Sequence, residues 1–239
     1  MSDELFPQSS TTMGWDDDKI GRDLPVYDGP KEPGKKERIY IISPIEKRVI
    51  HYKQGLGYFV CNGGLCCKLM DEPATHRLGC VIFKYETDAS GNLPTDGDGK
   101  VVVRGEVKVL IMTAKMYRRF ADANKTAEQE TDGAQTLKTV DVILHCDNKS
   151  DVEYKRWTIN LARRAAYWLE WAAKVKKDGS DEDKARLTDQ KLEMSENFKK
   201  IPAKLGNEKS DEEIAAAFGQ SHGDTPPPVG DPTDALKDL

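Results

Sequence analysis

The sequence predicts a mainly β fold with some helices, organised as one principal domain with tails. Short runs of β-branched and aromatic residues recur through the first two thirds of the chain, each bounded by Gly, Pro, Asn or Asp. Helical spacing of apolar residues appears once between these runs and again after the last of them. A chain of 239 residues suffices for one full core, because single domains usually contain about 100–200 residues.

The first half of the domain consists of predicted strands. "RIYIISP" is β-branched and stops at a proline, and "KRVIHY" and "GYFV" flank the glycine turn "KQGLG". A segment rich in cysteine then interrupts the pattern. The β character resumes in two longer runs, "RLGCVIFKYET" and "KVVVRGEVKVLIMT".

The second half alternates helix and strand. "AKMYRRFADANK" has apolar residues at helical spacing and predicts a short helix. "TLKTVDVILHCDN" and "SDVEYKRWTI" predict two more strands, and "NLARRAAYWLEWAAKVKK" predicts an amphipathic helix. In "SDEEIAAAFG" a serine N-cap, a glutamate three residues later and a closing glycine predict a small helix.

The composition indicates a soluble protein with reduced cysteines. Charged residues make up 32% of the chain, and no run approaches the roughly 20 apolar residues that cross a bilayer. The N-terminus lacks the basic and apolar regions of a secretory signal, so we expect a cytoplasmic location, where disulfides rarely persist. The formal charge of −5 combines a basic middle, from Lys35 to Lys177, with acidic ends.

Four of the five cysteines and two of the four histidines lie in one segment, residues 51–80. Zinc prefers four thiolate or imidazole ligands in a tetrahedron, and a glycine-rich loop wraps around such a site without strain. Neighbouring cysteine side chains diverge, so we expect the adjacent pair to ligate unequally. We therefore expect a structural metal site that uses Cys61, Cys67 and two further ligands; the alternative is buried thiols in β-structure. The candidates for the two further ligands are His51, Cys66, His76 and Cys80.

Basic and aromatic residues alternate on separate predicted strands, as in a platform for single-stranded nucleic acid. Cations neutralise phosphates, and rings stack on bases with little sequence preference. The segments "RVIHYKQGLGYF" and "EYKRW" have this pattern, and "KMYRRF" places cations on the outer face of a helix. The alternative for each ring is burial in the core. The candidate DNA-binding residues are Arg48, Tyr52, Lys53, Tyr58, Phe59, Arg104, Lys115, Arg118, Arg119, Lys155, Arg156 and Trp157.

No motif predicts catalysis. The acid or base groupings are His145 beside Asp147, at a strand end, and "DGDGK", which lacks the acidic twelfth position of a calcium loop. The sequence contains no Walker A motif, nucleophile elbow or HExxH motif. We therefore expect a binding protein and not an enzyme.

Taken together, "HYKQGLGYFVCNGGLCC", "VKVLIMTAKMYRRFADA" and "VDVILHCDNKSDVEYKRWTI", with "SDEEIAAAFG" more weakly, resemble the single-stranded DNA-binding proteins of tailed bacteriophages. The resemblance covers roughly residues 38–220. It implies an OB-fold-like five-stranded barrel with a Cys/His zinc loop, a helix before the last two strands and C-terminal helices. It also implies a structural Zn²⁺ with ligands among His51, Cys61, Cys66, Cys67 and Cys80.

The same resemblance implies a role in phage DNA replication, recombination and repair, in the cytoplasm of the host cell. The protein would bind single-stranded DNA without sequence preference, and its acidic C-terminus would modulate access and contact replication or recombination proteins. Self-association along DNA is a further expectation. A second interpretation is a zinc-containing transcription or recombination accessory protein that binds duplex DNA or polymerase.

The predicted domain organisation has four parts. They are an irregular N-terminal arm at 1–36, an OB-like DNA-binding domain at 37–177 with the zinc loop at about 51–80, a helical extension at 178–219, and a disordered acidic tail at 220–239.

Overall fold

The computed structural model describes residues 24–148 and 157–219. These residues form seven strands and five helices, which makes the protein a mixed α/β fold. The strands are β1 (Lys36–Ile41), β2 (Glu46–Lys53), β3 (Gly57–Val60), β4 (Thr75–Tyr85), β5 (Gly105–Thr113), β6 (Val140–Cys146) and β7 (Trp157–Ala165). The helices are α1 (Leu65–Leu69), α2 (Ala114–Glu130), α3 (Tyr167–Asp178), α4 (Asp181–Leu205) and α5 (Asp211–Ala217).

The seven strands form one mostly antiparallel sheet with β4 at its centre. One edge of β4 pairs with β5, from Arg77 opposite Thr113 to Tyr85 opposite Gly105. The other edge pairs with β2 along its first half and with β1 along its second half, so the sheet branches. The branches are the β2–β3 hairpin and the β1–β6–β7 group. The sheet does not close, and the expected five-stranded barrel is not confirmed.

Helices cover both faces of β4. Val81 and Phe83 lie on one face, in a core that includes residues of α3 and α4; we call this the α3/α4 face. Cys80 and Ile82 lie on the other, in a core with Met116 of α2; we call this the α2 face. A strand buried on both faces has a continuous apolar sequence, and "GCVIF" within β4 fits this rule.

The helices agree with the sequence predictions in part. A helix does precede the last two strands, and α5 has the predicted capping box of Ser210 and Glu213. The helix predicted from residue 160 onward instead begins at Tyr167, because residues before it pair with β6, as Leu161 does with Val142. Among the described residues, no helix has the length and apolar character needed to cross a membrane.

Residues 24–35, the described end of the predicted N-terminal arm, have irregular backbone but pack against the sheet. Leu24 and Tyr27 are buried, and the backbone N–H of Tyr27 donates to the carbonyl of Val109 in β5. The indole N–H of Trp157 donates to the carbonyl of Pro30 at 2.8 Å. This segment therefore forms part of the core.

Gly29 occupies a position in this segment that only glycine tolerates. Its φ is +71°, and an added Cβ would lie 1.9 Å from Cζ2 of Trp157. We expect Gly29→Ala to lower the free energy of unfolding by about 2–3 kcal/mol, because it combines backbone strain with displacement of a packed ring. Urea denaturation measures this loss. Gly34→Ala is the matched control, since Gly34 also has a positive φ but nothing within 4 Å of its added Cβ. Equal losses in both variants would contradict the packing argument.

Candidate functional site

The candidate site lies on the part of the β2–β3 hairpin that extends past β4. Ile50 opposite Thr75 is the last pair between β2 and β4, and beyond it β2 pairs with β3. Neighbouring residues of a strand face opposite sides. His51 therefore faces one side, and Tyr52 faces the other.

Three sulfur atoms converge on a ring nitrogen of His51. They belong to Cys61, after β3, and to Cys66 and Cys67 in α1, and all four ligand atoms lie within 4.8 Å of one another. The Cys67 Sγ atom is 3.2 Å from Cys61 Sγ and 3.6 Å from His51 Nε2. The Cys66 Sγ atom is 3.9 Å from each of the other two sulfurs. Zinc–sulfur bonds of about 2.3 Å in a tetrahedron place sulfurs roughly 3.8 Å apart. The group could therefore hold a metal ion.

The loop between β3 and α1 brings both adjacent cysteines to this group. Gly63 turns the chain with a φ of +74°, and the Gly64 N–H donates to the side chain of Asn62. Helix α1 follows at once, so both thiols of its first turn reach the same point. The expectation that Cys66 and Cys67 diverge was wrong for this reason: it ignored the helical turn.

The pKa shifts of His51 and Cys61 favour a bound cation, whereas the pKa shift of Cys67 opposes it. Burial lowers the pKa of His51, which favours the neutral imidazole that binds metals. Burial opposes ionisation of Cys61, but hydrogen bonds involving Cys67, the Gly63 backbone and Cys66 together lower the pKa of its thiol. The hydrogen bond to Cys61, together with burial, raises the pKa of Cys67 to about 11. The Cys67 thiol therefore stays protonated at neutral pH until a cation displaces its proton.

Two other ligand candidates lie outside the group. Cys80 is in the middle of β4, fully buried on the α2 face, and burial raises the pKa of its thiol to about 12. The prediction that Cys80 ligates the metal was wrong, because the strand directs its side chain into the core. His76 pairs with Val49 in the sheet, is exposed, and is not part of the group.

The raised pKa of Cys67 predicts the pH dependence of zinc binding. A ligating thiol must lose its proton, so zinc displaces that proton and zinc affinity rises with pH, by up to about tenfold per unit for each proton released. Protons compete more strongly as the pH falls, and affinity falls with it. Calorimetric titration in buffers of different ionisation enthalpy counts the released protons. Cys80→Ala should leave the count unchanged, whereas zinc binding without proton release would exclude Cys67 as a ligand.

The opposite side of the hairpin presents two exposed aromatic rings. Tyr52 and Tyr58 are cross-strand partners, 56% and 45% exposed, with ring centroids 5.0 Å apart. The guanidinium of Arg77 lies 4.1 Å from the Tyr58 ring centroid, and Arg48 is the cross-strand neighbour of Arg77. We call these four residues the tyrosine–arginine surface. Sequence reasoning missed Arg77, because only the register of β4 against β2 brings it here.

Contacts from the end of α4 position the two arginines. Arg77 donates to the backbone carbonyl of Lys204 at 3.2 Å, and Arg48 donates to that of Gly206 at 3.1 Å. Arg48 also lies 3.7 Å from Glu208, whose side chain is largely exposed. The chain then passes β3, where Asn207 exchanges backbone hydrogen bonds with Tyr58 and Val60.

Two aromatic residues predicted to stack on bases lie in the core. Phe59 is fully buried beside His51 and Cys66, on the metal side of the hairpin. Trp157 is 2% exposed and packs on Gly29. Both predictions were wrong, because cross-strand packing and the arm cover these rings.

The predicted basic residues do not form one surface. Lys53 lies 4.2 Å from the ring centroid of Phe218. Arg104 precedes Gly105, the first residue of β5, which is about 26 Å from Thr113 at 3.3 Å per residue. The helix α2 packs on the α2 face, opposite the tyrosine–arginine surface. Its cations are Lys115, Arg118 and Arg119. Lys155 and Arg156 lie outside the described residues.

Comparisons with protein-family models, curated proteins and solved structures each found no match. The fold and the site therefore define the protein as a mixed α/β protein with a His/Cys group that could hold a metal ion. The resemblance to phage single-stranded DNA-binding proteins stays a prediction.

Proposed function

We propose that the protein is a non-catalytic, sequence-independent single-stranded DNA-binding protein with a structural Zn²⁺. The observation that carries this proposal is the tyrosine–arginine surface, where two half-exposed rings lie beside two guanidinium groups. Exposed rings stack on unpaired bases, and nearby cations neutralise the phosphates. Both requirements are met within a few residues of one hairpin.

Backbone contacts hold both arginines at this surface. Each donates to a backbone carbonyl, and the side chain of Arg48 is partly exposed. The ion pair of Arg48 with Glu208 is open to solvent on the Glu208 side, and surface ion pairs contribute about 0–1 kcal/mol. A phosphate could therefore replace the Glu208 carboxylate.

The proposed zinc site lies on the opposite side of the β2–β3 hairpin from the tyrosine–arginine surface and would stabilise that hairpin. His51 and Tyr52 are neighbours in β2 that face opposite sides, so a metal bound to His51 would hold the strand that carries Tyr52. Three thiols and one imidazole would fill a tetrahedral site. Such a closed site has no position for a reacting water, which favours a structural role.

The proposal includes a role in DNA replication, recombination and repair, with replication or recombination proteins as partners of the acidic C-terminus. Residues 220–239 of that terminus lie outside the described part of the chain. The second candidate, a duplex-binding accessory protein, is an outcome of the same experiment.

The test is fluorescence anisotropy of labelled dT and duplex oligonucleotides with the full chain across a salt titration. We expect a preference for dT and an affinity that falls with salt, with a log–log slope of about −0.7 for each phosphate neutralised. Salt-independent dT binding would contradict the proposal. A preference for the duplex would select the second candidate instead.

A further inference from the structure

Two of the four metal-ligand candidates are already close enough to react with each other. The Sγ atoms of Cys61 and Cys67 are 3.2 Å apart, and a disulfide bond of about 2.05 Å would need only a small approach. Cys67 is exposed and Cys61 is half-buried, so a small oxidant in solvent reaches the pair.

The other described cysteines are protected from the same reaction. Cys66 is fully buried with Phe59 and Ile214, and its thiol donates to the Asn62 side chain at 3.1 Å. Cys80 and Cys146 are buried in the core of the α2 face. The structure therefore separates one reactive pair from three protected thiols.

We propose that Cys61 and Cys67 are an oxidation site for peroxides, at which disulfide formation and metal binding exclude each other. The Cys61 thiolate attacks an oxygen of the peroxide to give a sulfenic acid, the O–O bond breaks, and hydroxide leaves. Cys67 then loses its proton to solvent, attacks that sulfur and expels a second hydroxide. For hydrogen peroxide, the two thiols lose two electrons and two protons, and the products are one disulfide and two waters.

The disulfide would remove two of the four metal ligands. His51 and Cys66 would remain, and two ligands do not complete the four-coordinate site that zinc requires. Metal is therefore released on oxidation and bound again after a thiol reductant restores both sulfurs. In the other direction, bound metal shields the two thiolates by occupying their lone pairs.

Release of the metal would also loosen the contacts behind the hairpin. Helix α5 lies over this region, with Ile214 against Phe59 and Cys66, and with Asp211 accepting a hydrogen bond from Asn62. If the proposed DNA binding holds, oxidation lowers single-stranded DNA affinity through the strand that carries Tyr52. The oxidation itself does not depend on that function.

The experiment treats the full chain, reconstituted with zinc, with increasing hydrogen peroxide. We expect release of one zinc per chain, measured with a chromogenic chelator, together with a Cys61–Cys67 disulfide found by differential alkylation and mass spectrometry. Dithiothreitol with zinc should restore the starting state. Overoxidation of Cys61 to sulfinic acid without a disulfide, or a disulfide through Cys66, would overturn the proposal.

Two variants sharpen the result. Cys67→Ala alters an exposed side chain, so the fold should survive, and no disulfide should form. Cys146→Ala, a cysteine outside the group, should oxidise as the wild type does. A protein that binds no zinc would overturn the exclusion between metal and disulfide, and disulfide mapping would then test the oxidation site by itself. Normal disulfide formation in a protein that never binds dT would sink the proposed function and leave the oxidation site standing.

Discussion

Replacing Asp141 by alanine is expected to lower the free energy of unfolding by about 3–5 kcal/mol, the usual cost of removing one partner of a buried ion pair. The Asp141 side chain is fully buried in β6 and lies 3.2 Å from the guanidinium of Arg38 in β1. It also accepts a 2.7 Å hydrogen bond from the hydroxyl of Tyr85 in β4. That hydroxyl in turn accepts from the backbone N–H of Trp168 in α3. The variant would leave Arg38 without its buried counter-ion and free the start of α3.

Urea denaturation of two further variants shows how much of the loss comes from the carboxylate charge and how much from its burial. Asp141→Asn keeps an acceptor for Tyr85 and should lose less stability than the alanine variant. Burial raises the pKa of Asp141, while the hydrogen bond from Tyr85 and the charge of Arg38 oppose that rise. Loss of the carboxylate charge therefore accounts for only part of the destabilisation. Asp147→Ala, which removes a half-exposed carboxylate 3.0 Å from His145, should cost less than about 1 kcal/mol. If Asp141→Ala lowers the free energy of unfolding by less than about 1 kcal/mol, the contacts of Asp141 with Arg38 and Tyr85 do not stabilise the fold as argued.

Replacing Tyr52 and Tyr58 together by alanine is expected to weaken binding of dT oligonucleotides about 30-fold or more. Stacking of one base on one aromatic ring contributes about 1–3 kcal/mol, and both rings are exposed on the same surface. Anisotropy titration at fixed salt measures the loss. The fold should be unaffected, because neither ring belongs to a buried core cluster.

The conservative variants serve as controls for this experiment. Tyr52→Phe and Tyr58→Phe keep the rings and should bind nearly as the wild type does. Val49→Ala changes an exposed residue of the same strand on the opposite side, and should also leave binding unchanged. Wild-type affinity in a folded double alanine variant would remove these rings from the DNA-binding surface.

The strands were predictable because their signal is local. Runs such as "RIYIISP" and "GYFV" carry their β-branched and aromatic character in consecutive residues. The boundary between β7 and α3 was not predictable in this way, since "NLARRA" also fits helical spacing and only its pairing with β6 decides. The open, branched sheet is a matter of register between distant segments, which no local pattern contains.

Predictions for the site also succeeded where the signal is local and failed where it depends on distant segments. His51, Cys61, Cys66 and Cys67 were all among the predicted ligands, because a short glycine-containing loop brings neighbours in sequence together. The prediction that Cys80 is a ligand was wrong, because proximity in sequence does not determine which face of a strand a side chain occupies. Arg77 was missed, and Phe59 and Trp157 were misassigned, because exposure depends on partners far along the chain.

The covering of the metal group by α5 has a consequence for synthesis on the ribosome. The candidate ligands lie between residues 51 and 67, whereas α5 begins at Asp211, some 145 residues later. At about 5–20 residues per second, that interval lasts roughly 7–30 seconds. The nascent hairpin is therefore open to an incoming cation before its cover has been translated, so loading can precede completion of the fold.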